Sequence, residues 1–201
     1  MNKKGILIVV SAPSGCGKST ILARLMDRWN DLRFSISATT RAPRGDEQDG
    51  KEYYFVTEEK FAEMIEAGEF LEYAEYSTFH YGTPRTPVVR QLEEGHDVYL
   101  DIEVKGAMQV KEQYPEALLI FLMPPSLAEL RRRLISRGTD SMEVIERRLR
   151  TAEFELGFRD RFDFVVVNDA LDRAVEEVAG LIVAYREKMQ NNSSNELKIE
   201  E

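Results

Sequence analysis

A single cysteine, Cys16, stands in 201 residues. No intramolecular disulfide can form, and an oxidising compartment is not indicated. Histidine is nearly as scarce: His80 and His96 are the only two, and neither sits in a nucleophilic or metal-ligating constellation. No apolar run approaches the roughly 20 residues needed to span a bilayer. The stretch Ile6 to Val10 behind Lys3 and Lys4 imitates a signal core, but it is short and runs straight into a loop. Positive charge is also in deficit, with 27 Lys and Arg against 36 Asp and Glu and a net charge of −9. That balance disfavours wholesale binding to nucleic acid or acidic membranes. Any phosphate chemistry must therefore draw on local clusters of Lys and Arg. The chain reads as cytoplasmic.

What is present is an ordinary globular composition, 43% hydrophobic and 31% charged. "GILIVVSA" is a continuous, largely β-branched run of the kind that forms a strand buried on both faces of a parallel sheet. "STILARLMDRW" then places Ile21, Leu22, Leu25, Met26 and Trp29 on a helical stripe. "DVYLDI", "ALLIFLM" and "FDFVVVND" are further strand candidates, each followed by a helical pattern. Such alternation predicts an α/β domain with helices on both faces of a parallel sheet. Two stretches break it. Between about Ser35 and Glu94 lie the strand-like pieces "FSISATT", "EYYFV" and "EFLEYAEY", with one helix near Glu58 to Ala67, which suggests an inserted lobe with a mixed sheet. Residues 131–161 are mostly helical in pattern and carry nine arginines against six acids. After Gln190, "NNSSNELKIEE" is polar enough to be a mobile tail.

Between the first strand and its helix lies "SAPSGCGKST", close to the phosphate loop G-x-x-x-x-G-K-[ST] but with Ala12 at the first glycine. Such a loop holds phosphate through consecutive backbone N–H groups and the positive end of a helix. Gly15 and Gly17 remain for conformations that a side chain resists. The first position ends the strand, where a small residue suffices if its φ is negative. Lys18 would reach the β- and γ-phosphates, and the Ser19 hydroxyl would join a Mg²⁺ shell. Cys16 reads as a small-residue filler. The bland alternative, a glycine turn opening an ordinary helix, is outweighed by the strand before and the GKST ending. Asp101, near the end of "DVYLDI", is either a second metal ligand or a cap for the next helix; the loop favours the metal.

The loop names a nucleotide, not a reaction. The N-K-x-D and D-x-x-G signatures of a GTPase are absent from the sequence. Instead "SATTRAPRGDEQDGKEYYF", "EFLEYAEYSTFHYGTP" and "LDIEVKG" follow in order. With these segments the sequence resembles the guanylate kinases, from about Gly5 to the last helix. The resemblance implies a P-loop NTPase-type three-layer α/β fold with a parallel core sheet, an inserted mixed-sheet GMP-binding lobe and a helical lid. It implies transfer of the γ-phosphate of ATP to GMP, giving ADP and GDP, with Mg²⁺. The matching boundaries are a single domain over 1–190, with core 1–34, 96–130 and 162–190, lobe 35–95, lid 131–161, and a tail at 191–201.

Residue by residue, the resemblance assigns Ala12, Pro13, Ser14, Gly15, Cys16, Gly17, Lys18, Ser19 and Thr20 to ATP, with Arg137 and Asn168. Ser37, Arg41, Arg44, Tyr53 and Tyr81 match the clamp on the GMP phosphate. Two guanidiniums can grip a dianion bidentately. Glu72, Thr83 and Glu103 match the residues that read the base. Guanine offers donors at N1 and its amino group, which pure acceptors suit, whereas adenine N1 would face them with a lone pair. Glu103 departs from the Asp more usual there, Thr83 replaces Ser, and "EVKG" differs from a Gln-containing version. Arg137 and Arg148 match lid residues that close on the transferring phosphates, so the catalytic set is Lys18, Arg41, Arg137 and Arg148. Arg131, Arg132, Arg133, Arg147 and Arg150 read mostly as a solvated face with local ion pairs. Two other readings stay open: a different nucleoside-monophosphate kinase, or a guanylate-kinase-like binding module that has lost catalysis.

Overall fold

The computed structural model describes residues 4–76 and 78–196, with side chains described as far as 191. The chain runs β1 (Leu7–Ser11), α1 (Lys18–Arg28), β2 (Leu32–Phe34), β3 (Ser37–Thr39), β4 (Tyr53–Phe55), α2 (Glu58–Glu66), β5 (Phe70–Tyr76) and β6 (Phe79–Pro84). It continues with α3 (Arg85–Glu93), β7 (Asp97–Asp101), α4 (Val104–Gln113), β8 (Leu118–Met123), α5 (Leu127–Ser136), α6 (Met142–Leu156), β9 (Phe164–Val167) and α7 (Leu171–Glu196). The strands build a five-stranded parallel sheet in the order β2-β7-β1-β8-β9 and a four-stranded mixed sheet in the order β4-β3-β6-β5. Contacts group residues 1–9 and 31–117 as one compact unit and residues 10–30 and 118–201 as a second.

In the first unit, the piece read as one strand, "FSISATT", is two strands in two sheets. Phe34 pairs with Tyr99 in parallel register, and the Ser35 N–H donates to the Tyr99 carbonyl at 3.1 Å. The chain then leaves β7, and Ser37 opens β3 opposite Tyr53 of β4. β3 and β4 run parallel, while β6 runs antiparallel to both β3 and β5. Ala38, Phe61, Met64 and Phe70 form the core of this lobe, with Phe61 and Phe70 stacked at 4.5 Å. β6 and α3 had no counterpart among the strand and helix expectations. "FHYGTP" is too polar and too rich in turn residues to read as a strand, and α3 holds Pro87 in its first turn, where a missing N–H is tolerated.

In the second unit, Leu118 to Leu122 are fully buried, which accounts for the continuous apolar run of β8. α1 turns Ile21, Leu22 and Leu25 inward, and it contacts α7, whose buried residues are Ala174, Val175, Val178 and Ile182. Each such burial of a Val, Leu or Ile side chain contributes about 2 kcal/mol. α5 and α6 are in contact and occupy most of the arginine-rich stretch. Both begin at a serine whose hydroxyl accepts a backbone N–H, Ser126 and Ser141. α7 extends to Glu196, and residues 197–201 of the expected tail lie outside the described residues.

Candidate active site

The phosphate loop belongs to the second unit. Gly15 and Gly17 have φ of 96° and 87°, left-handed values that favour glycine. Ala12 does not need that freedom: among the described residues Thr78 is the only non-glycine with positive φ. The condition set by the sequence for Ala12 is therefore met. Gly17 caps α1 without a side-chain hydrogen bond, and the first turn carries no acid. Its N–H groups and the positive helix end thus face no competing carboxylate from their own turn. Ser19 and Thr20 are exposed. Cys16 is fully buried, and burial pushes its thiol up to about 12, so it is a packed thiol and not a nucleophile.

Asn168 braces this loop. Its side-chain amide donates to the Cys16 carbonyl at 2.6 Å, and its backbone carbonyl accepts from the Arg133 guanidinium at 2.9 Å. A Cβ at Gly17 would lie 2.7 Å from Asn168 Nδ2. Arg133 is therefore more than part of a solvated face, and nothing in "RRRL" distinguishes it from its neighbours. Of the others, Arg132 fits local pairing, with Glu129 three residues before it, whereas Arg131 pairs across to Glu146 on α6. Arg137 ends α5 and is exposed, while Arg148 on α6 pairs with Asp140 at 3.2 Å.

The predicted acceptor residues all fall in the first unit. Arg41 is 5% exposed, and its guanidinium makes a double hydrogen bond to Glu47 at 2.9 and 3.0 Å. Tyr53 and Phe55 lie beside it at 5.3 and 5.9 Å from their ring centres, and Tyr81 on β6 is half-buried with its ring 5.9 Å from that of Tyr53. Glu47 also accepts the Arg44 backbone N–H at 2.8 Å, and the Arg41 bonds, followed by this one, hold its carboxyl below the usual range. The Arg44 side chain is exposed. Glu47 was not among the expected site residues; in "RGDEQDG" it is one acid among several. Together with Ser37, Tyr53, Asp101, Phe34, Lys51 and Glu52 it lines a cavity of about 480 Å³.

Glu72 on β5 is 6% exposed and accepts the Thr83 hydroxyl of β6 at 2.6 Å. Burial pushes its carboxyl up to about 7; the Thr83 bond opposes the shift, and the nearby Glu103 charge adds to it. Glu103 is exposed at the N-cap of α4 and makes no side-chain capping bond. Because Glu103 holds that position, Asp101, exposed at the end of β7, is not the cap of α4. Among the described residues no three His, Cys, Asp or Glu group around a metal position.

A parallel α/β sheet with a strand-loop-helix phosphate cradle, and in the other unit a buried arginine and a buried carboxylate, are the features of a P-loop phosphotransferase. The family model described as guanylate kinase matches residues 4–185. The guanylate kinase of Caldanaerobacter subterraneus subsp. tengcongensis is 48% identical over 201 residues, covering 100% of this chain and 98% of the relative. That of Syntrophomonas wolfei is 50% identical over 191 residues, covering 95% and 98%. A crystal structure of guanylate kinase from Anaplasma phagocytophilum superposes with a TM-score of 0.72 at 32% identity, covering 92% of this chain and 87% of that one.

The chain belongs to the guanylate kinase family. It is an ATP:GMP phosphotransferase, and kinases of this family use ATP with a divalent metal. Among the described residues no helix is long and apolar enough to cross a membrane.

Proposed function

We propose that the two sites divide the reaction between donor and acceptor, as a cytoplasmic enzyme of purine nucleotide metabolism that recycles GMP. The loop from Ala12 to Thr20 holds the ATP phosphates, with Lys18 on the β- and γ-phosphates. Mg²⁺ is the divalent metal. Ser19 and Asp101 offer it the hard oxygen donors it prefers, and it normally takes few protein ligands beside the nucleotide phosphates. When bound it neutralises charge on the transferring phosphoryl group. Ser37, Arg41, Arg44, Tyr53 and Tyr81 grip the GMP phosphate; Glu72, Thr83 and Glu103 read guanine. Arg137 and Arg148 supply positive charge to the transition state, and Asn168 steadies the loop near the adenine. GMP brings its own phosphate oxygen as nucleophile, so the protein aligns and stabilises charge.

The observation that carries this reading is Glu72: a carboxylate buried beside the Thr83 hydroxyl is an acceptor suited to a base edge made of donors. The test is a coupled ADP-release assay with ATP and Mg²⁺, offering GMP, AMP, UMP and CMP in parallel. GMP-dependent turnover that falls severely in Glu72→Gln and Arg41→Ala supports these roles. Equal use of AMP by the unmodified protein overturns the assignment of the base-reading residues. Binding of GMP without turnover would favour the binding-module reading.

A further inference from the structure

Gly106 is a glycine without a backbone reason. It lies within α4, is buried, and is absent from the glycines with positive φ. Alanine is the better helix former at such a position. The reason lies across the gap to β5: a Cβ on Gly106 would stand 2.6 Å from Glu72 Oε2, 3.2 Å from its Cδ and 3.5 Å from its Cγ. The Glu72 carboxylate rests directly on the bare helix.

Neither side of this contact is free to retreat. Glu72 Oε1 accepts from Thr83 at 2.6 Å, so one oxygen is fixed while the other faces Gly106. One turn along α4, Gln109 clamps the backbone of the next residue on β5. Its Oε1 accepts the Tyr73 N–H at 3.1 Å, and its Nε2 donates to the Tyr73 carbonyl at 3.0 Å. The amide therefore pairs with β5 as another strand would. Gly106 and Gln109 share one helix face at i and i+3. α4 also begins at Glu103, whose charge acts on Glu72. A methyl at residue 106 would displace the carboxylate before it separated the two elements.

We infer that Gly106 is a positioning residue for guanine selection: its missing side chain, with the Gln109 clamp, sets where the Glu72 carboxylate stands. This rests on the base-reading role proposed for Glu72. The experiment compares kcat/KM for GMP and for inosine monophosphate, which lacks the 2-amino donor, in Gly106→Ala, Glu72→Gln and the double variant Gly106→Ala with Glu72→Asp. In Gly106→Ala the GMP value falls about tenfold or more while KM for ATP is unchanged, and the GMP preference over inosine monophosphate narrows. Adding Glu72→Asp to Gly106→Ala shortens the carboxylate side chain to make room for the new methyl. The double variant recovers part of the preference, which a merely loosened fold would not do. A normal preference in folded Gly106→Ala, with Glu72→Gln impaired, overturns the positioning role alone. An unimpaired Glu72→Gln overturns the base-reading role, and this inference with it. Should Gly106→Ala not fold, Gln109→Ala decides by the same ratio: a narrowed preference supports the coupling, and an unchanged one overturns it.

Discussion

The two sites are made of different material. The loop proposed for the donor is backbone: two glycines at positive φ, a helix start without an acidic first turn, and an asparagine amide donating to the Cys16 carbonyl. The groups proposed for the acceptor are side chains: Arg41 held by Glu47, and Glu72 held by Thr83, each in a buried or half-buried setting. A backbone site needs particular residue types at fixed spacing, and it tolerates any residue whose φ suits, as Ala12 does. A side-chain site depends on partners that the sheet brings together, so its failures should be local to the acceptor. Substitutions can separate the two.

The largest expected loss follows Lys18→Ala. Removing the loop side chain proposed to reach the β- and γ-phosphates should lower kcat about 10³-fold, in the range for losing a preorganised charge at a transition state. GMP affinity, read by calorimetry, stays within about twofold. Arg41→Ala should do the reverse. It removes the acceptor's guanidinium and leaves the Glu47 carboxylate without its main partner. Losing the proposed charge-assisted contact to the GMP phosphate costs about 1.5–3 kcal/mol, read as a fall in kcat/KM for GMP with KM for ATP unchanged. Arg41→Lys recovers little, because an ammonium cannot reproduce the fork. If both variants raised KM for ATP and GMP alike, the division between the sites would fail.

The same difference explains what the sequence discloses. Strand, loop and helix could be read directly because "GILIVVSA", Gly15, Gly17 and the stripe Ile21, Leu22, Leu25 each follow from local geometry. Glu47 and Arg133 could not. Each is one charge in a charged run, and its partner is fixed by a turn or by a contact distant in sequence. The break between β2 and β3 was hidden for a similar reason: "FSISATT" alternates like one strand, and only pairing with β7 and then β4 divides it. Gly106 was hidden too, since helix propensity marks it as weak without saying what lies opposite.

Gly17→Ala tests the backbone site with no change of charge. An L-residue held in the left-handed region costs about 1–2 kcal/mol, and here the new Cβ would also lie 2.7 Å from Asn168 Nδ2. Thermal unfolding should move down by several degrees, roughly as 1 kcal/mol shifts a domain of this size by about 2–4 °C. KM for ATP rises about tenfold, the equivalent of 1.4 kcal/mol, while GMP binding is unchanged. Asn168→Ala in the same background relieves the close approach but also removes the hydrogen bond to the Cys16 carbonyl, so it should not restore the loop.

The smallest effect is one of pH, and it belongs to the side-chain site alone. Burial pushes Glu72 up to about 7, above the ordinary value of 4.5. Between those values the folded protein binds more protons than the unfolded chain, so this group's contribution to stability is present below the lower value and is lost as pH rises through about 7. Binding runs the other way, because guanine's donors need the ionised carboxylate. KM for GMP should therefore rise as pH falls from 8 to 6, by about tenfold per pH unit once below the shifted value. The GMP phosphate itself titrates near 6, so the decisive comparison is Glu72→Gln. That variant binds GMP more weakly at every pH and keeps only the phosphate's dependence. KM for ATP, set at the backbone loop, should lack the Glu72 component in both proteins.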